Sequence, residues 1–460
     1  MTRFSVIFSL GMAVVLGAAL TASAADLTGT TQTIDFTGFD GSGFAPAPAA
    51  GQLDSDDWRV TGFSAGSGTF GGTHTTNDFA RGASTGGEVT GGIYAFDIGG
   101  GDVALGVQPA GSDFTPGTME LRLTNNTAGN LFGLNFGYDV AVLNDQGRAN
   151  SFGFSFSQNG NPAVALGSQD FTSPEAADGA PAWVTTARSG RIVFNQPLAP
   201  GEFVDLIWTG DDVSGGGSRD EFGLDNVSFA GTESLGSVIA EDNFDGTNTF
   251  ASRTIMPDNS GNSPPGTFAG SDFDVFGIVD RTVNSDFNSD TPAGKVDSFF
   301  GVEDVENGDN PGGTGTATWT ANITGATDLT LAVDIWANLG DFESSDTFEF
   351  SYSIDGSPAE TLLVSSVDDG LEPGQDLLIN DIVLDEASFQ TFFAAIDGTG
   401  DLLTITFDTE QNAAGELFGF DNLQVLGTAA VVPEPASLLI WALLGAIAGI
   451  GALRWRRSKR

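Results

Sequence analysis

The chain has 460 residues, of which 61 are acidic and 16 are basic, so its formal net charge is -45 at pH 7. Such an acidic surface repels the phosphates of nucleic acids and anionic lipids, whereas it favours solubility and divalent cations. The absence of cysteine excludes disulfides and cysteine-based metal or catalytic sites, and the single histidine, His74, excludes a multi-histidine zinc site.

The first residues are typical of a secretory signal peptide. A short positive start precedes an apolar run, and Ala22-Ser23-Ala24 fits a small-residue cleavage site. We therefore expect residues 1–24 to be removed during export, so that the mature chain begins at Ala25 or Asp26.

Beyond the signal peptide, alternating patterns predict β-strands and almost no helix. The clearest alternating segments are residues 118–124, 151–157, 346–354 and 402–407. Each has one apolar face for a core and one polar face for solvent. Asn159-Gly160 and Asp355-Gly356 are typical hairpin turns. The pattern predicts an all-β protein made of antiparallel sheets packed as sandwiches.

One segment, residues 385–396, has the spacing of a helix instead. Phe389, Phe392 and Phe393 recur at intervals that place them on one helical face. We expect a short helix there that covers the end of a sheet.

The chain carries an opening and a closing motif twice, at similar spacing. These motifs are Phe39-Asp40-Gly41 and Phe222-Gly223-Leu224-Asp225-Asn226, then Phe244-Asp245-Gly246 and Phe418-Gly419-Phe420-Asp421-Asn422. An opening and a closing strand that pair in one sheet would produce this layout. We therefore predict two tandem, jelly-roll-like antiparallel β-sandwich modules, residues 26–232 and 241–428.

The repeated motifs also supply candidate metal ligands. Calcium takes carboxylate, amide and backbone oxygens, so the closing Asp and Asn of each module suit it. The opening carboxylate would share the ion, which pairs Asp40 with Asp225 and Asp245 with Asp421. The full candidate set for structural calcium is Asp40, Asp225, Asn226, Asp245, Asp421 and Asn422. The alternative is that these residues only form turns and bond to local backbone.

The C-terminal residues 432–460 consist of three ordered parts. Pro433-Glu434-Pro435 precedes an apolar run over residues 438–453, which is predicted to be a single transmembrane helix. The basic end that follows includes Arg454, Arg456 and Arg457 and should remain cytoplasmic. The tail resembles the PEP-CTERM sorting signal of Gram-negative bacteria. That resemblance implies processing by an exosortase in the inner membrane, followed by release to the cell surface or the exterior; the alternative is an ordinary membrane anchor.

A second resemblance covers residues 30–232. Residues 117–127, 144–148 and 208–227 are similar to segments of exported bacterial β-sandwich modules, which occur as accessory domains of secreted and surface proteins, some beside nucleases. The resemblance implies a secreted β module and specifies no activity.

Residues with catalytic potential are sparse, and His74 lies in a polar loop where we expect it to be inert. We therefore expect an exported, non-catalytic cell-surface or extracellular-matrix protein that does not bind nucleic acid. One alternative is a carbohydrate-binding protein that contacts extracellular polysaccharide, with Trp183 as the candidate surface aromatic. Another is a hydrolase that uses carboxylates alone. Trp208 and Trp336 lie in predicted strands, where we expect core packing.

Overall fold

The computed structural model describes residues 25–429, except for 264, 269–273, 281–283, 285–286, 288–290, 293–294, 296, 339–341, 369–375 and 414. The predicted signal peptide, sorting motif and transmembrane helix lie outside the described residues. Among the residues that are described, no helix is long and apolar enough to span a membrane.

The described chain is built from strands, which confirms the predicted all-β class. Up to residue 232 the strands are β1 (Asp26–Leu27), β2 (Gln32–Ile34), β3 (Phe39–Ala45), β4 (Gly51–Asp54), β5 (Trp58–Thr61), β6 (Ala83–Ser84), β7 (Gly92–Gly99), β8 (Asp102–Gln108), β9 (Gly117–Asn125), β10 (Leu131–Leu143), β11 (Arg148–Gln158), β12 (Val164–Ala165), β13 (Phe171–Thr172), β14 (Trp183–Leu198), β15 (Phe203–Gly215) and β16 (Glu221–Thr232). Two short 3-10 helices cover Asn77–Phe79 and Gly167–Gln169.

The later strands are β17 (Ser237–Asp242), β18 (Ser252–Met256), β19 (Val275–Asp280), β20 (Ser298–Glu303), β21 (Thr314–Asn322), β22 (Thr327–Ala337), β23 (Thr347–Ile354), β24 (Glu360–Asp368), β25 (Asp376–Ile379), β26 (Ile382–Val383), β27 (Gln390–Ala395), β28 (Leu402–Glu410) and β29 (Phe418–Thr428). Strands β9, β11 and β28 cover three of the alternating segments, and β23 covers all of the fourth except its first residue, Asp346. Asn159-Gly160 and Asp355-Gly356 have positive φ angles, as the predicted turns require.

The described residues divide into two compact units. The first contains residues 25–129, 135–190 and 199–231, and the second contains 130–134, 191–198 and 232–429. Residues 131–134 of β10 and 191–198 of β14 are therefore assigned to the second unit, although both strands belong to a sheet of the first unit.

The two units have the same strand order in their central sheets. In the first, one sheet runs β9-β15-β11 with β5 beside β9, and the other runs β14-β10-β16-β8-β7 with β2 beside β16. In the second, one sheet runs β21-β28-β23 with β18 beside β21, and the other runs β27-β22-β29-β20-β19 with β17 beside β29. Strands β16 and β29 therefore occupy equivalent positions, and we call them the closing strands.

Aromatic side chains join the two sheets of each unit. Trp208 on β15 is fully buried and lies 5.4 Å from Tyr138 on β10, measured between ring centroids. In the second unit, Phe407 on β28 lies 4.8 Å from Phe420 on β29. Trp336 is also fully buried, so the core roles predicted for Trp208 and Trp336 are confirmed. Burying rings of this size contributes about 1.5–3 kcal/mol each.

The helix predicted over residues 385–396 is wrong. Residues 390–395 form β27, which pairs antiparallel with β22 and places Phe392 opposite Val333 and Phe393 opposite Ala332. Consecutive side chains of a strand point to opposite faces, yet Phe392 and Phe393 are both buried. A strand covered on both faces loses its alternation, and its phenylalanine spacing then imitates a helix.

Candidate functional site: the closing-strand carboxylates

The two closing strands are built alike at their Asp-Asn pairs. Asn226 and Asn422 both have a φ of 49°, a left-handed conformation that Asn tolerates better than most residues. Their side-chain amides donate to the carboxylates of Asp139 on β10 (2.9 Å) and Asp334 on β22 (2.8 Å). Each Asn therefore ties its closing strand to the neighbouring strand through the same contact.

Asp225 is buried among other carboxylates. It is 1% exposed, and its Oδ2 accepts a hydrogen bond of 3.0 Å from Asn226, whereas its Oδ1 has no partner. Burial raises the pKa of Asp225 to about 6, and the charges of Asp102, Asp139 and Asp35 raise it further against the hydrogen bonding. Acidic groups from four segments thus converge here.

Asp421 has the equivalent position and a different partner. It is 2% exposed, and its Oδ2 accepts a hydrogen bond from the Lys295 ammonium group, which also contacts Asp297 at 2.6 Å. Burial acts to lower the pKa of Lys295, but the ion pairs with Asp297 and Asp421 raise it overall. Asp245, from the opening motif, accepts the Ser298 amide at 2.8 Å and lies beside Asp297. Lys295 therefore contacts the closing acid Asp421 directly, whereas the opening acid Asp245 interacts with Asp297.

In the first unit, the structural counterpart of Phe244 is Phe36, three residues before the Phe39 that the sequence motif predicts. Phe36 and Phe244 each stand two residues beyond the strand, β2 or β17, that pairs with the closing strand. Both have left-handed φ angles, 52° and 55°, and both pack on a buried tryptophan, Trp58 at 5.4 Å and Trp319 at 6.4 Å. Phe36 is therefore the equivalent of Phe244, and Phe39 is not.

This shift changes which opening carboxylate acts on Asp225. Asp40 is exposed and accepts hydrogen bonds from the amide (2.9 Å) and the hydroxyl of Ser42, inside its own turn. Asp35, beside Phe36, is the opening residue whose charge acts on Asp225.

The described residues contain no group of three or more Asp, Glu or His side chains arranged to hold a metal ion. In the second unit an ammonium group already contacts the closing carboxylate. Calcium therefore remains a prediction for the first unit, where Asp225 Oδ1 has no hydrogen-bond partner.

Acidic and amide side chains also meet where the closing strand of the first unit begins. These residues are called the first cluster: Gln108, Asn144, Asp145, Asp220 and Glu221. Asp220 and Glu221 are fully buried, and Gln108 is 1% exposed. Each member of the cluster has one buried side-chain oxygen without a hydrogen-bond partner. Buried polar atoms are rarely left in that condition, because their desolvation is uncompensated.

Protonation of the buried carboxyls would offset part of this desolvation cost. Burial raises the pKa of Glu221 to about 8, and the charge of Asp145 raises it further, although the Glu88 amide donates to Glu221 at 2.6 Å. Burial also raises the pKa of Asp220, whose Oδ1 accepts the Gln146 amide at 3.0 Å. The raised pKa favours the protonated form of Glu221, which can itself donate a hydrogen bond.

The second unit has an equivalent set, the second cluster, made of Glu303, Glu343, Asp346, Gln411 and Glu416. Glu416 and Asp220 each lie two residues before the shared Phe-Gly of the closing motif. Burial raises the pKa of Glu416 to about 7, with Asp346 as the next cause, and burial also raises the pKa of Asp346. Glu303 ends β20 as Gln108 ends β8. Both units thus have a carboxyl with a raised pKa at the same end of the sheet.

Trp183 lies at the start of β14 and is half-buried. Its ring centroid lies 5.0 Å from that of Phe96, and its indole N–H donates to the Thr85 carbonyl at 3.0 Å. Gly86 lies against the indole, because a Cβ there would stand 3.3 Å from the ring atom Cζ2. The next residue, Val184, is 60% exposed. These contacts thus position the indole at the surface.

The loop that contacts Trp183 is connected to the first cluster. Ser84 donates its hydroxyl to the Glu88 carboxylate at 2.7 Å, and the Glu88 amide donates to Glu221. Glu88 is half-buried and Val89 is 67% exposed. We call Thr85, Gly86, Glu88, Val89, Trp183 and Val184 the Trp183 surface.

A groove of about 370 Å³ lies beside the N-terminal strand of the first unit. Its lining includes Asp26, Asp54 and Asp57. Asp57 is 7% exposed and accepts a hydrogen bond of 2.8 Å from the Ala25 backbone nitrogen. Burial raises the pKa of Asp57 to about 7, and Asp54, Asp56 and Asp26 add to the increase.

His74 takes part in packing. Its Nε2 accepts the Thr69 amide at 3.0 Å, and its ring centroid lies 5.0 Å from that of Phe79. It is half-buried rather than exposed. Its ring nitrogen is thus engaged by backbone.

Sequence reasoning missed Lys295, Asp35 and the buried state of the clusters. Lys295 had a usable signal, because it is the only lysine of the chain apart from Lys459 in the tail. Asp145, Asp220 and Glu221 lie in the segments of the second resemblance, but their spacing does not show that they meet.

No family model matches the chain, and no curated protein matches it. Among solved structures, it is similar to the tandem CBM22-1–CBM22-2 domains of Xyn10C from Paenibacillus barcinonensis, with 10% identity, a TM-score of 0.23, and coverage of 88% of this chain and 100% of that one. It is also similar to the tandem CBM51 modules of Sp3GH98 from Streptococcus pneumoniae, with 11% identity, a TM-score of 0.23, and coverage of 73% and 85%. TM-scores this low carry no functional argument.

Proposed function

We propose that this chain is an exported, non-catalytic surface protein of two tandem β-sandwich modules, and that its first module binds extracellular polysaccharide at the Trp183 surface. The observation that carries the binding proposal is the fixed, half-buried indole of Trp183 with exposed and acidic neighbours. Ligand sites combine apolar or aromatic faces with a few placed polar groups. A sugar ring offers C–H groups to an indole face and hydroxyl groups to a carboxylate such as Glu88.

Export is supported by the two chain ends, which lie outside the described residues. The tail from Pro433 onward would direct the protein to an exosortase in the inner membrane, and the mature protein would then reach the cell surface or matrix. Intact-mass analysis of the protein from its native host should show the loss of residues 1–24 and of the apolar tail. Mature protein that still ends at Arg460 would contradict sorting by an exosortase.

Binding is tested with a glycan array, followed by titration of the best polysaccharide. Trp183→Ala should weaken binding at least about tenfold, because truncating a central tryptophan typically costs about 2 kcal/mol or more. The matched control is Phe70→Ala, which removes a half-buried ring of the same unit that packs 3.9 Å from the Arg122 guanidinium. An equal loss in both variants, or no loss in Trp183→Ala, would contradict the proposal.

The hydrolase alternative depends on the groove, where Asp57 has a raised pKa. One oxygen of Asp57 is already engaged by the backbone nitrogen of Ala25 and the side chain is 7% exposed, which favours a structural role. Hydrolysis of a bound polysaccharide that Asp57→Asn abolishes would support the hydrolase instead.

A further inference from the structure

The first residue of the described chain is held firmly beside a buried carboxylate. Ala25 is 8% exposed; its nitrogen donates to Asp57 Oδ1 at 2.8 Å and its carbonyl accepts the Thr124 amide at 3.2 Å. Strand β1 then continues in parallel pairing with β9, and Leu27 is fully buried. The position of the Ala25 nitrogen is therefore set by the fold.

Asp57 lacks a cation among the described residues. The charged groups that act on it are Asp54, Asp56 and Asp26, all of the same sign. The arginines of adjacent strands pair elsewhere: Arg59 with Glu120, and Arg122 with Asp205 through two contacts of 2.8 Å. A buried carboxylate with only acidic neighbours costs folding free energy, unless it is protonated or gains a positive partner.

The predicted cleavage site ends one residue before this contact. Hydrolysis after Ala22-Ser23-Ala24 breaks the peptide bond between Ala24 and Ala25. Water supplies the hydroxyl that completes the Ala24 carboxylate and the hydrogen that completes the Ala25 amine, which takes up a proton at neutral pH. A signal peptidase of the export pathway is the required catalyst.

We propose that removal of the signal peptide creates the cation that Asp57 lacks, because the new Ala25 ammonium group forms a buried ion pair with the Asp57 carboxylate. The peptide N–H of the precursor makes the same contact without the charge. The fold of the first module is thus completed electrostatically only after export. This inference rests on the proposed export of the chain.

The ion pair has a defined pH dependence. With an uncharged N–H at Ala25, the folded-state pKa of Asp57 is about 7, above its ordinary value near 4, so stability is lost as the pH rises from about 4 to 7. The ammonium group removes that loss until it deprotonates itself, above about pH 8. The gain from a free Ala25 terminus should therefore be largest near pH 7.

The experiment compares two chains that are complete to Arg460, one beginning at Ala25 and the other with Gly-Ser before Ala25. At pH 7 the chain that begins at Ala25 should show a calorimetric transition about 2–4 °C higher. The difference should shrink at pH 4 and at pH 10. In an Asp57→Asn background it should vanish, because the carboxylate partner is gone.

A second readout does not depend on stability. At pH 7 an amine-reactive reagent should label the Ala25 terminus slowly in the parent chain and much faster in Asp57→Asn. Equal melting temperatures for both starts, or equal labelling rates, would overturn the ion pair while leaving export intact. N-terminal sequencing of the exported protein that finds a start other than Ala25 would overturn the ion pair, and a start at neither Ala25 nor Asp26 would also overturn the cleavage site.

Discussion

Asp225 and Asp421 stand at the same point of two closing strands, with the same left-handed Asn after them and the same amide contact to a neighbouring strand. Among the described residues only Asp421 contacts a cation, the Lys295 ammonium group. In the first unit the surrounding charges are all acidic. The same Asp-Asn pair therefore meets different charges in the two units, because a residue 126 positions away contacts Asp421. Burial nevertheless raises the pKa of Asp421 as well, against the lowering effect of Lys295.

The comparison shows how a chain of net charge -45 accommodates buried acids in two ways. The second unit uses its only lysine to compensate one closing carboxylate. In the first unit, burial and the neighbouring acids leave Asp225 with a raised pKa. In both clusters a carboxyl near the closing motif, Glu221 or Glu416, has a raised pKa. Both units therefore favour protonation of a buried acid at this position.

Removing the lysine should have the largest effect. Lys295→Met leaves Asp421 buried and uncompensated, which should destabilise the second unit by about 3–5 kcal/mol at pH 7. Denaturant unfolding of the full chain measures the loss. Adding Asp421→Asn should recover most of it, because the unpaired charge is then absent. A double variant as unstable as Lys295→Met would mean that the lysine acts through packing of its side chain.

Neutralising a cluster carboxyl should have a smaller effect, of opposite sign. The folded-state pKa of Glu221 is raised to about 8, so the protein loses stability as the pH rises from about 4.5 through 8. Glu221→Gln removes this loss and should stabilise the first unit at pH 8 on the order of 3 kcal/mol. Melting curves between pH 5 and pH 9 test it.

The matched variant in the second cluster is Glu416→Gln. Its pKa of about 7 predicts the same sign, with the loss complete at lower pH. If the melting temperature of either variant changes with pH as that of the parent does, the substituted carboxyl is not the group whose titration lowers the stability.

A smaller effect should distinguish the two closing carboxylates directly. In chelator at pH 8, Asp225→Asn should stabilise the first unit on the order of 2 kcal/mol, because its raised pKa of about 6 makes stability fall as the pH rises from about 4 through 6. Asp421→Asn should change the stability of the second unit less, because Lys295 offsets part of the burial that raises the pKa of Asp421. Thermal unfolding in EDTA measures both.

Adding calcium extends the comparison of Asp225→Asn with Asp421→Asn. If the first unit takes the cation that the second replaces with lysine, calcium at a tenfold excess over its dissociation constant should stabilise the parent by about 1.4 kcal/mol beyond sodium chloride of equal ionic strength. Asp225→Asn should abolish that increase and Asp421→Asn should not. An unchanged melting temperature on calcium addition would leave Asp225 and Asn226 as structural residues only.

The local sequence pattern was sufficient to predict most of the strands. Alternation over residues 402–407 and the turn at Asp355-Gly356 depend on side-chain direction and backbone preference within a few residues, so sequence alone predicts them. The burial of Trp208 followed in the same way. Where both faces of a strand are covered, as at Phe392 and Phe393, alternation disappears and the prediction of a helix was wrong.

The sequence by itself determined the all-β class, the repeated motifs and the acidic character of this protein. Only the tertiary structure decided which acids meet, that Asp35 rather than Asp40 acts on Asp225, and that Lys295 pairs with Asp421. The physical reason is range: strand formation depends on neighbouring residues, whereas the charge state of a buried carboxyl depends on desolvation and on partners that strand pairing brings from distant parts of the chain.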